Sequence, residues 1–460
     1  MELITLPKKG IIRILSFVLF FSMAFFESKG QNPIIQTIFT ADPAPMVYHD
    51  TVFLYTSHDE ASAPEGSGGF RMRDWRCFTS TDMVNWTDHG AIASLKDFKW
   101  GPQENGAWAP QCIERNGKFY LYCPLHGKGI GVLVSDSPYG PFRDPLGKGL
   151  IDTEPIWNNI DPTVFIDSDG QAYLYWGNPD LYFVKLNGDM ISYSGAVNKL
   201  SSKPQNYQEG PWFYKRKQHY YLAYASTCCP EGIGYAMSDS PTGPWVYKGY
   251  VMAPTPKSSG NHPGIIDYKG HSYVFGFNYE LNYRLTSKHH ERRSVCVEEF
   301  TYNADGTIPE LPWWTDPGVK QIGTLDPYNR VEAETIAFSE GVKTEKNTAY
   351  QKKEADQVFV TSINNGDYIK VQGANFSKGA SSVQVNVAAL HGGKIDIHTD
   401  RIDGPLLGVV EVKASGEEDS WRTITTPVKN IKGVHDLFLV FKGNKDLFNF
   451  DWWKFNQGAK

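Results

Sequence analysis

The pattern of apolar and polar positions predicts short β-strands joined by tight turns. Runs of apolar and aromatic residues are separated by turn pairs such as Asn116-Gly117 and Asp169-Gly170. Asn-Gly and Asp-Gly between alternating apolar runs are typical of β-hairpins. The pattern therefore predicts an all-β chain.

A strand-opening motif occurs five times in the first two thirds of the chain. In each copy a small, polar or charged residue and a nearby Pro lead into an apolar strand, a turn and an aromatic strand. The copies begin at Asp42, Ala109, Asp161, Glu209 and His262. Their intervals of 67, 52, 48 and 53 residues lie near the ~40–50 residues of a propeller blade. We therefore predict a five-bladed β-propeller over residues 31–317.

The repeats stop after residue 317, and a second module follows a linker at residues 318–329. Short strands without long helical periodicity are typical of a β-sandwich, here of the jelly-roll type at residues 330–460. The predicted strands cover residues 358–363, 368–371, 383–388, 394–398, 436–441 and 448–455.

Residues 1–30 have the pattern of a secretory signal peptide. Lys8, Lys9 and Arg13 precede an almost wholly apolar run at residues 14–26, and a small residue, Gly30, precedes the expected cleavage site. We predict an exported protein, periplasmic or secreted. No later segment could cross a bilayer, so no membrane insertion is expected.

The composition narrows the class of ligand. Lys and Arg number 45 against 51 Asp and Glu, a balance that argues against a nucleic-acid partner. The 13 Trp, 25 Tyr and 26 Phe supply flat apolar faces suited to sugar rings. The six cysteines lack metal-type spacing. Cys228 and Cys229 could each pair elsewhere or remain buried thiols.

The predicted propeller brings its charged strand starts together. The innermost strand of each blade lines the central channel, so Asp42, Asp161, Glu209 and His262 are expected at one channel mouth. A single Asp-Pro is often only a turn opener. Three acids in register with the repeat indicate function instead, because clustered carboxylates repel one another. Glycosidic cleavage needs such a set, with one acid protonated and another ionised.

Four motifs resemble glycoside hydrolase family 43 over roughly residues 32–317. They occupy residues 40–45, 108–111, 159–163 and 208–212. The resemblance implies inverting hydrolysis, with Asp42 as general base, Glu209 as general acid and Asp161 orienting and tuning that acid. It also implies that His262 lies near a bound cation or water and Trp108 near the sugar pocket. An inverting enzyme has its two carboxyl groups ~6.5–9.5 Å apart.

Residues 329–457 resemble a family 6 carbohydrate-binding module. The matching motifs lie at residues 330–334, 365–368 and 448–453. The resemblance implies a structural calcium held by Glu332, Glu334 and Asp451, although an ordinary polar edge strand would also fit the two glutamates. Trp421 and Asn449 would line a sugar cleft. The second aromatic expected there is replaced by Ser362, so the module could instead serve mainly as a packing partner.

Together these features predict an inverting, exo-acting hydrolase that releases α-L-arabinofuranosyl groups from arabinoxylan or arabino-oligosaccharides. Two alternatives stay open: a β-xylosidase, and a non-catalytic carbohydrate-binding propeller. We expect a monomer acting on plant cell-wall hemicellulose. No cofactor is required for the chemistry. Besides calcium in the second module, a cation at His262 in the channel is a further expectation.

Overall fold

The computed structural model describes residues 31–61, 70–256, 261–286, 290–346, 358–416 and 420–458. The predicted signal peptide lies outside these residues. Regular structure in the described part is almost entirely β, which confirms the predicted class. Its few helical turns are Leu95–Asp97, Ile156–Asn158 and the helix α1 (Glu280–Leu285). None of the described helices is long and apolar enough to span a membrane.

Five antiparallel sheets follow one another along the chain and form the blades of the predicted propeller. Blade 1 contains β1 (Phe39–Tyr48), β2 (Thr51–Asp59), β3 (Asp74–Ser80) and β4 (Trp86–Ser94). Blade 2 contains β5 (Gln111–Arg115), β6 (Lys118–Leu125) and β7 (Gly129–Ser135). Blade 3 contains β8 (Thr163–Ile166), β9 (Ala172–Trp176), β10 (Tyr182–Leu186) and β11 (Tyr193–Lys199). Blade 4 contains β12 (Tyr207–Arg216), β13 (His219–Ser226), β14 (Gly232–Ser238) and β15 (Val246–Met252). Blade 5 contains β16 (Gly264–Tyr268), β17 (His271–Asn278) and β18 (Ser294–Phe300).

The innermost strands β1, β5, β8, β12 and β16 contact one another in order, and β1 contacts β16 to close the ring. Each begins within a few residues of one of the five predicted strand starts. Aromatic side chains fill the space between blades. Between blades 3 and 4, for example, the Phe213 ring lies 5.0 Å from Tyr175 and 5.7 Å from Trp245.

The C-terminal module is a sandwich of two antiparallel sheets around its own apolar core. One sheet has the order β22 (Lys343–Lys346), β23 (Val358–Thr361), β30 (Asn449–Asn456), β25 (Ser382–Ala388) and β28 (Trp421–Pro427), with β19 (Val331–Glu332) paired to β30. The other has the order β21 (Phe338–Glu340), β24 (Tyr368–Asn375), β29 (Val434–Lys442), β26 (Gly393–Thr399) and β27 (Leu406–Val412).

The module is joined to the propeller by hydrogen-bonded backbone. A short strand, β20 (Thr335–Ile336), pairs with β4 and adds a fifth strand to blade 1. In the segment predicted as a linker, the Ile322 amide donates to the Asp82 carbonyl at 2.9 Å, and the Leu325 amide donates to the Gly373 carbonyl at 3.0 Å. This segment is therefore fixed to both modules along its length.

Candidate active site

The charged strand starts meet at one mouth of the propeller channel. The imidazole of His262 contacts all three acids: its Nδ1 lies 3.5 Å from Asp42, and its Nε2 lies 3.2 Å from Glu209 and 3.8 Å from Asp161. These side chains come from blades 1, 3, 4 and 5. A cavity of about 20 Å³, room for about one water molecule, is lined by Asp42, Asp161, His262 and the prolines of the strand starts, but not by Glu209.

Asp42 is held by a buried ion-pair network. Its Oδ1 accepts a 2.8 Å hydrogen bond from Arg293 Nη1, and its Oδ2 accepts one from the Ser57 hydroxyl. The same guanidinium donates to both carboxylate oxygens of Asp59 at 2.9 Å. Asp42, Asp59 and Arg293 are each at most 4% exposed. This network fixes the Asp42 carboxylate in one orientation.

Asp161 is buried and shares its surroundings with two other acids. Burial and the nearby Glu209 and Asp42 raise the pKa of Asp161 to about 7, against the opposing effects of His262 and of a hydrogen bond from the Gly210 amide. That hydrogen bond is 3.1 Å long and ends on Asp161 Oδ2. A carboxyl group of this kind retains a proton at neutral pH more readily than an exposed one.

Glu209 is the most accessible of the three acids, with its side chain 17% exposed. One carboxylate oxygen contacts His262 Nε2, and the other accepts a hydrogen bond from the Asn178 side chain. Gln208 in turn donates to Asn178 at 3.2 Å. Glu209 therefore faces the channel mouth and is oriented from both sides.

His262 carries positive charge in this setting. Burial alone would lower its pKa, but Asp161, Asp42 and Glu209 together raise the pKa of His262 to about 10. Asp161, Glu209 and His262 also place one potential ligand atom each within 4.8 Å of one another. A protonated imidazole has no free lone pair, so a channel cation at His262 would have to displace that proton.

The backbone at the acids is irregular. Asp42 and Asp161 have φ of +52° and +56°, a region that non-glycine residues seldom adopt. The pairing of β1 with β2 shifts register between Ala41 and Ala44, and that of β12 with β13 shifts at Glu209. Such bulges redirect side chains. The irregular backbone at Asp42 and Asp161, near the starts of the inner strands, therefore turns their carboxylates into the channel.

Gly210 is required by the crowding around His262. Its φ is +55°, and a Cβ atom added there would lie 2.7 Å from His262 Cγ. A larger residue at this position would push the imidazole away from the acids. The glycine at Glu209-Gly210-Pro211 therefore suits the position of His262 in this chain.

Three aromatic rings form a row beside the channel on blades 2 and 3. Trp108, half-buried, lies 3.8 Å from the His126 ring, and His126 lies 4.7 Å from Trp157. The Trp157 side chain is 60% exposed. Trp108 directly precedes Ala109 and Pro110, which line the channel cavity. Trp108 lies in one of the family motifs, whereas His126 and Trp157 carry no sequence signal.

The acids of the C-terminal module lie near β19 and β30, but the carboxylate oxygens of Glu332, Glu334 and Asp451 do not all come within 4.8 Å of one another. Arg330 contacts Glu332 at 2.7 Å and Asp451 at 3.5 Å. Glu334 is 4% exposed, and its Oε2 has no hydrogen-bond partner among the described residues. Burial, opposed by a backbone hydrogen bond but reinforced by Glu332, Asp88 and Asp451, raises the pKa of Glu334 well above its usual value. Burial, partly offset by Arg330, also raises the pKa of Asp451 to about 6.

The predicted sugar-binding residues of that module lie on one sheet. Trp421 begins β28 and Asn449 begins β30, where its side-chain oxygen accepts a 2.8 Å hydrogen bond from Thr361. Ser362, at the position where the motif leads one to expect an aromatic residue, is exposed, but Phe359 on β23 lies 5.5 Å from the Trp421 ring. An aromatic neighbour for Trp421 is therefore present at a position that the motif did not indicate.

Several residues of the site carried no sequence signal. Arg293 lies 251 residues from Asp42 along the chain, and Asp59, Ser57 and Asn178 belong to no recognised motif. Blade closure brings Arg293, just before β18, against blade 1. No local pattern in the sequence marks Arg293 as a partner of Asp42.

Comparison with known proteins supports the assignment suggested by this geometry. The sequence profile of glycosyl hydrolases family 43 matches residues 30–308, and that of carbohydrate binding module family 6 matches residues 332–457. The chain is 36% identical to an arabinoxylan arabinofuranohydrolase of Bacillus subtilis, over 93% of both chains. An arabinoxylan arabinofuranohydrolase of Paenibacillus polymyxa is 34% identical, over 93% of this chain and 74% of the relative.

Solved structures give the same result. A crystal structure of a family 43 arabinoxylan arabinofuranohydrolase from Bacillus subtilis, in complex with cellotetraose, superposes with a TM-score of 0.83 at 35% identity, covering 93% of this chain and 97% of that one. A β-xylosidase/α-arabinofuranosidase from a compost microbial metagenome, in a calcium-free form, gives a TM-score of 0.54 at 30% identity over 62% of this chain and 98% of that one. The chain therefore belongs to glycosyl hydrolases family 43 and is a glycosidase with a C-terminal family 6 carbohydrate-binding module.

Proposed function

We propose that this glycosidase removes α-L-arabinofuranosyl side groups from arabinoxylan or arabino-oligosaccharides, one group at a time and with inversion. The observation that carries this proposal is the similarity to arabinoxylan arabinofuranohydrolases through both modules, at 36% identity over 93% of the chain. Those relatives act on the substrate that their names give. The acids around His262 supply the chemistry that such a reaction needs.

The proposed roles follow from the setting of each acid. Asp42, fixed by Arg293 and Ser57, accepts a proton from the attacking water. Glu209, at the open side of the channel, donates a proton to the departing oxygen. Asp161 and His262 lie beside Glu209, and the three groups share the protons that the reaction uses. Asp42 and Glu209 contact opposite nitrogens of the His262 ring, an arrangement that supports a separation wide enough for the water of an inverting mechanism.

A single experiment tests the substrate and the stereochemistry together. Wheat arabinoxylan is incubated with the purified chain, and NMR follows the first-formed anomer of the released sugar. We expect free arabinose of inverted configuration and no shortening of the xylan backbone. Release of xylose, or of arabinose whose anomeric configuration is retained, would contradict the proposal.

A β-xylosidase activity is the competing proposal. It is favoured by relatives described as xylosidase/arabinosidase, such as one of Bacteroides ovatus at 29% identity over 59% of this chain. Comparison of 4-nitrophenyl α-L-arabinofuranoside with 4-nitrophenyl β-D-xyloside ranks the two activities. We expect the arabinofuranoside to give the higher kcat/KM.

We further propose that Glu332, Glu334 and Asp451 hold a calcium ion. Carboxylate oxygens are the ligands that calcium prefers, and Glu334 has a buried oxygen without a hydrogen-bond partner among the described residues. A bound cation would neutralise these acids and stabilise the start of the sandwich. It would take no part in hydrolysis. A cation at His262 in the channel would have to compete with the imidazole proton.

We also propose that the two modules work in an exported enzyme. The pattern of residues 1–30 supports export, and amino-terminal sequencing of protein from the periplasm or medium would test cleavage near Gly30.

In the C-terminal module, Trp421 with Phe359 and Asn449 offers a surface for a sugar chain. Loss of arabinoxylan binding in Trp421→Ala, measured by affinity electrophoresis, would support that use.

A further inference from the structure

An exposed disulfide between neighbouring residues lies at the same end of blade 4 as Glu209. Cys228 and Cys229 are bonded to each other, and both are exposed. The other four cysteines, Cys77, Cys112, Cys123 and Cys296, are buried and form no disulfide. The sequence analysis expected either distant partners or buried thiols for this pair, and the structure shows neither.

Strand pairing fixes the position of this disulfide relative to the catalytic acid. Glu209 on β12 is opposite Ala225 on β13, and Tyr207 is opposite Ser226. Cys228 follows Ala225 by three residues, so it lies within about 10 Å of Ala225, the residue opposite Glu209. The Thr227 amide donates to the Asn206 carbonyl at 2.8 Å. The disulfide is therefore at the tip of the β13–β14 hairpin, on the channel-mouth side.

The hairpin tip is anchored to the segment that carries His262. Glu231, which is 2% exposed, accepts a 2.8 Å hydrogen bond from the Asn261 amide. The Thr227 hydroxyl donates to the Pro230 carbonyl at 3.0 Å and closes the tip on itself. A surface fixed in this way loses little conformational entropy when a ligand binds to it.

The chemistry of the tip suits the leaving part of the substrate. A general acid protonates the departing oxygen, so the sugar chain that leaves must lie on the Glu209 side of the pocket. Sulfur is polarizable, so it makes van der Waals contacts with the apolar face of a sugar ring. The linked pair Cys228–Cys229 presents two sulfur atoms as one rigid surface, whereas two separate thiols would rotate independently.

We propose that the Cys228–Cys229 disulfide is a specificity-determining contact for the xylan backbone that carries the arabinosyl group. This inference rests on the proposed function and adds the binding surface for the leaving chain. The contact is available to a polymeric or oligomeric xylan backbone, but a small aryl leaving group does not extend far enough to use it fully.

The test compares two substrates in two forms of the full chain. The forms are oxidised wild type and Cys228→Ser/Cys229→Ser, and the substrates are wheat arabinoxylan and 4-nitrophenyl α-L-arabinofuranoside. Loss of a sulfur contact of this kind is expected to raise the ratio of the arabinoxylan KM to the aryl-substrate KM by roughly 3–10-fold. An unchanged ratio would overturn the inference, as would an equal loss on both substrates.

Reduction of the wild type provides a second measurement that needs no substitution. A water-soluble phosphine takes one oxygen atom from water while the disulfide gains two hydrogens and becomes two thiols, which mass spectrometry detects. The same rise in the KM ratio is expected on reduction. The double variant serves as the matched control, because the phosphine should leave its ratio unchanged. A wild type inactive on the aryl arabinofuranoside would instead refute the proposed function, before any cysteine is altered.

Discussion

The propeller channel and the C-terminal module both bury carboxylates, but they neutralise them differently. In the channel Asp42, Asp161 and Glu209 contact His262, and Arg293 adds a second buried cation. In the module the nearby cation is Arg330, whose side chain is 47% exposed, and it contacts Glu332 and Asp451.

Glu334 makes the difference between the two clusters clear. A buried carboxylate without a partner is costly, so it becomes protonated or acquires a cation. The channel supplies its own cations through two basic side chains at most 12% exposed. The module leaves one carboxylate oxygen without a partner among the described residues. The first cluster thus contains its own cations, whereas in the second the proposed calcium ion would supply the missing positive charge.

The largest expected effect is on the reaction itself. Asp42→Asn keeps the size of the side chain but removes the base, and we expect kcat on 4-nitrophenyl α-L-arabinofuranoside to fall roughly 10²–10⁴-fold. The thermal unfolding midpoint should stay within a few degrees of wild type. Asp136→Asn, at an exposed position on blade 2, is the matched control and should keep wild-type activity. A fully active Asp42→Asn enzyme would remove Asp42 from the mechanism.

The next effect compares the two arginines. Arg293→Met leaves Asp42 and Asp59 buried without their cation, and removal of one partner from a buried pair costs about 3–5 kcal/mol. Arg330→Met removes a half-exposed partner, for which about 0–1 kcal/mol is expected. Urea unfolding of both variants measures the difference. Equal losses would show that the channel cations are no more important for stability than the surface arginine of the module.

The sequence predicted the parts of the site that have local signals. The five strand starts could be found because an Asp-Pro or similar opener stands beside a hairpin turn, and both features depend only on neighbouring residues. The partners of the acids could not be found in this way. Arg293 meets Asp42 only because blade 5 closes against blade 1, and no spacing in the chain encodes that contact.

The same reasoning explains where the structure differs from the sequence predictions in the rest of the fold. The predicted linker is rich in turn residues, but its backbone hydrogen bonds to Asp82 and Gly373 join it to residues distant in the chain, which no local pattern encodes. The Cys228–Cys229 bond was not foreseen because adjacent cysteines more often have separate partners or none. Phe359 was missed because the expected aromatic position, Ser362, lies three residues further along the chain.

Calcium should stabilise the module and leave the channel unchanged. If Glu332, Glu334 and Asp451 bind the ion, calcium at about 100 times its Kd adds about 2.7 kcal/mol to the free energy of unfolding. A chelator should remove this stabilisation without lowering kcat on the aryl arabinofuranoside.

Two variants locate the calcium effect. Glu334→Gln should make unfolding insensitive to calcium, whereas Glu345→Gln, an exposed glutamate on β22, should keep the full response. A wild type whose unfolding does not respond to calcium would support the polar edge strand as the explanation of the two glutamates.

The smallest effect concerns the pH dependence of the channel. Burial and neighbouring acids raise the pKa of Asp161 to about 7, so the carboxyl cluster retains its extra proton below about pH 7 and loses it above. Because hydrolysis needs that proton, kcat should fall on the alkaline side near pH 7. In Asp161→Asn one negative charge is removed from the cluster, so the cluster as a whole holds its extra proton less readily. The alkaline limb should therefore move to lower pH, by about one unit. Asp136→Asn should leave the limb in place, and a limb that moved to higher pH in Asp161→Asn would mean that Asp161 does not help the cluster to hold its proton.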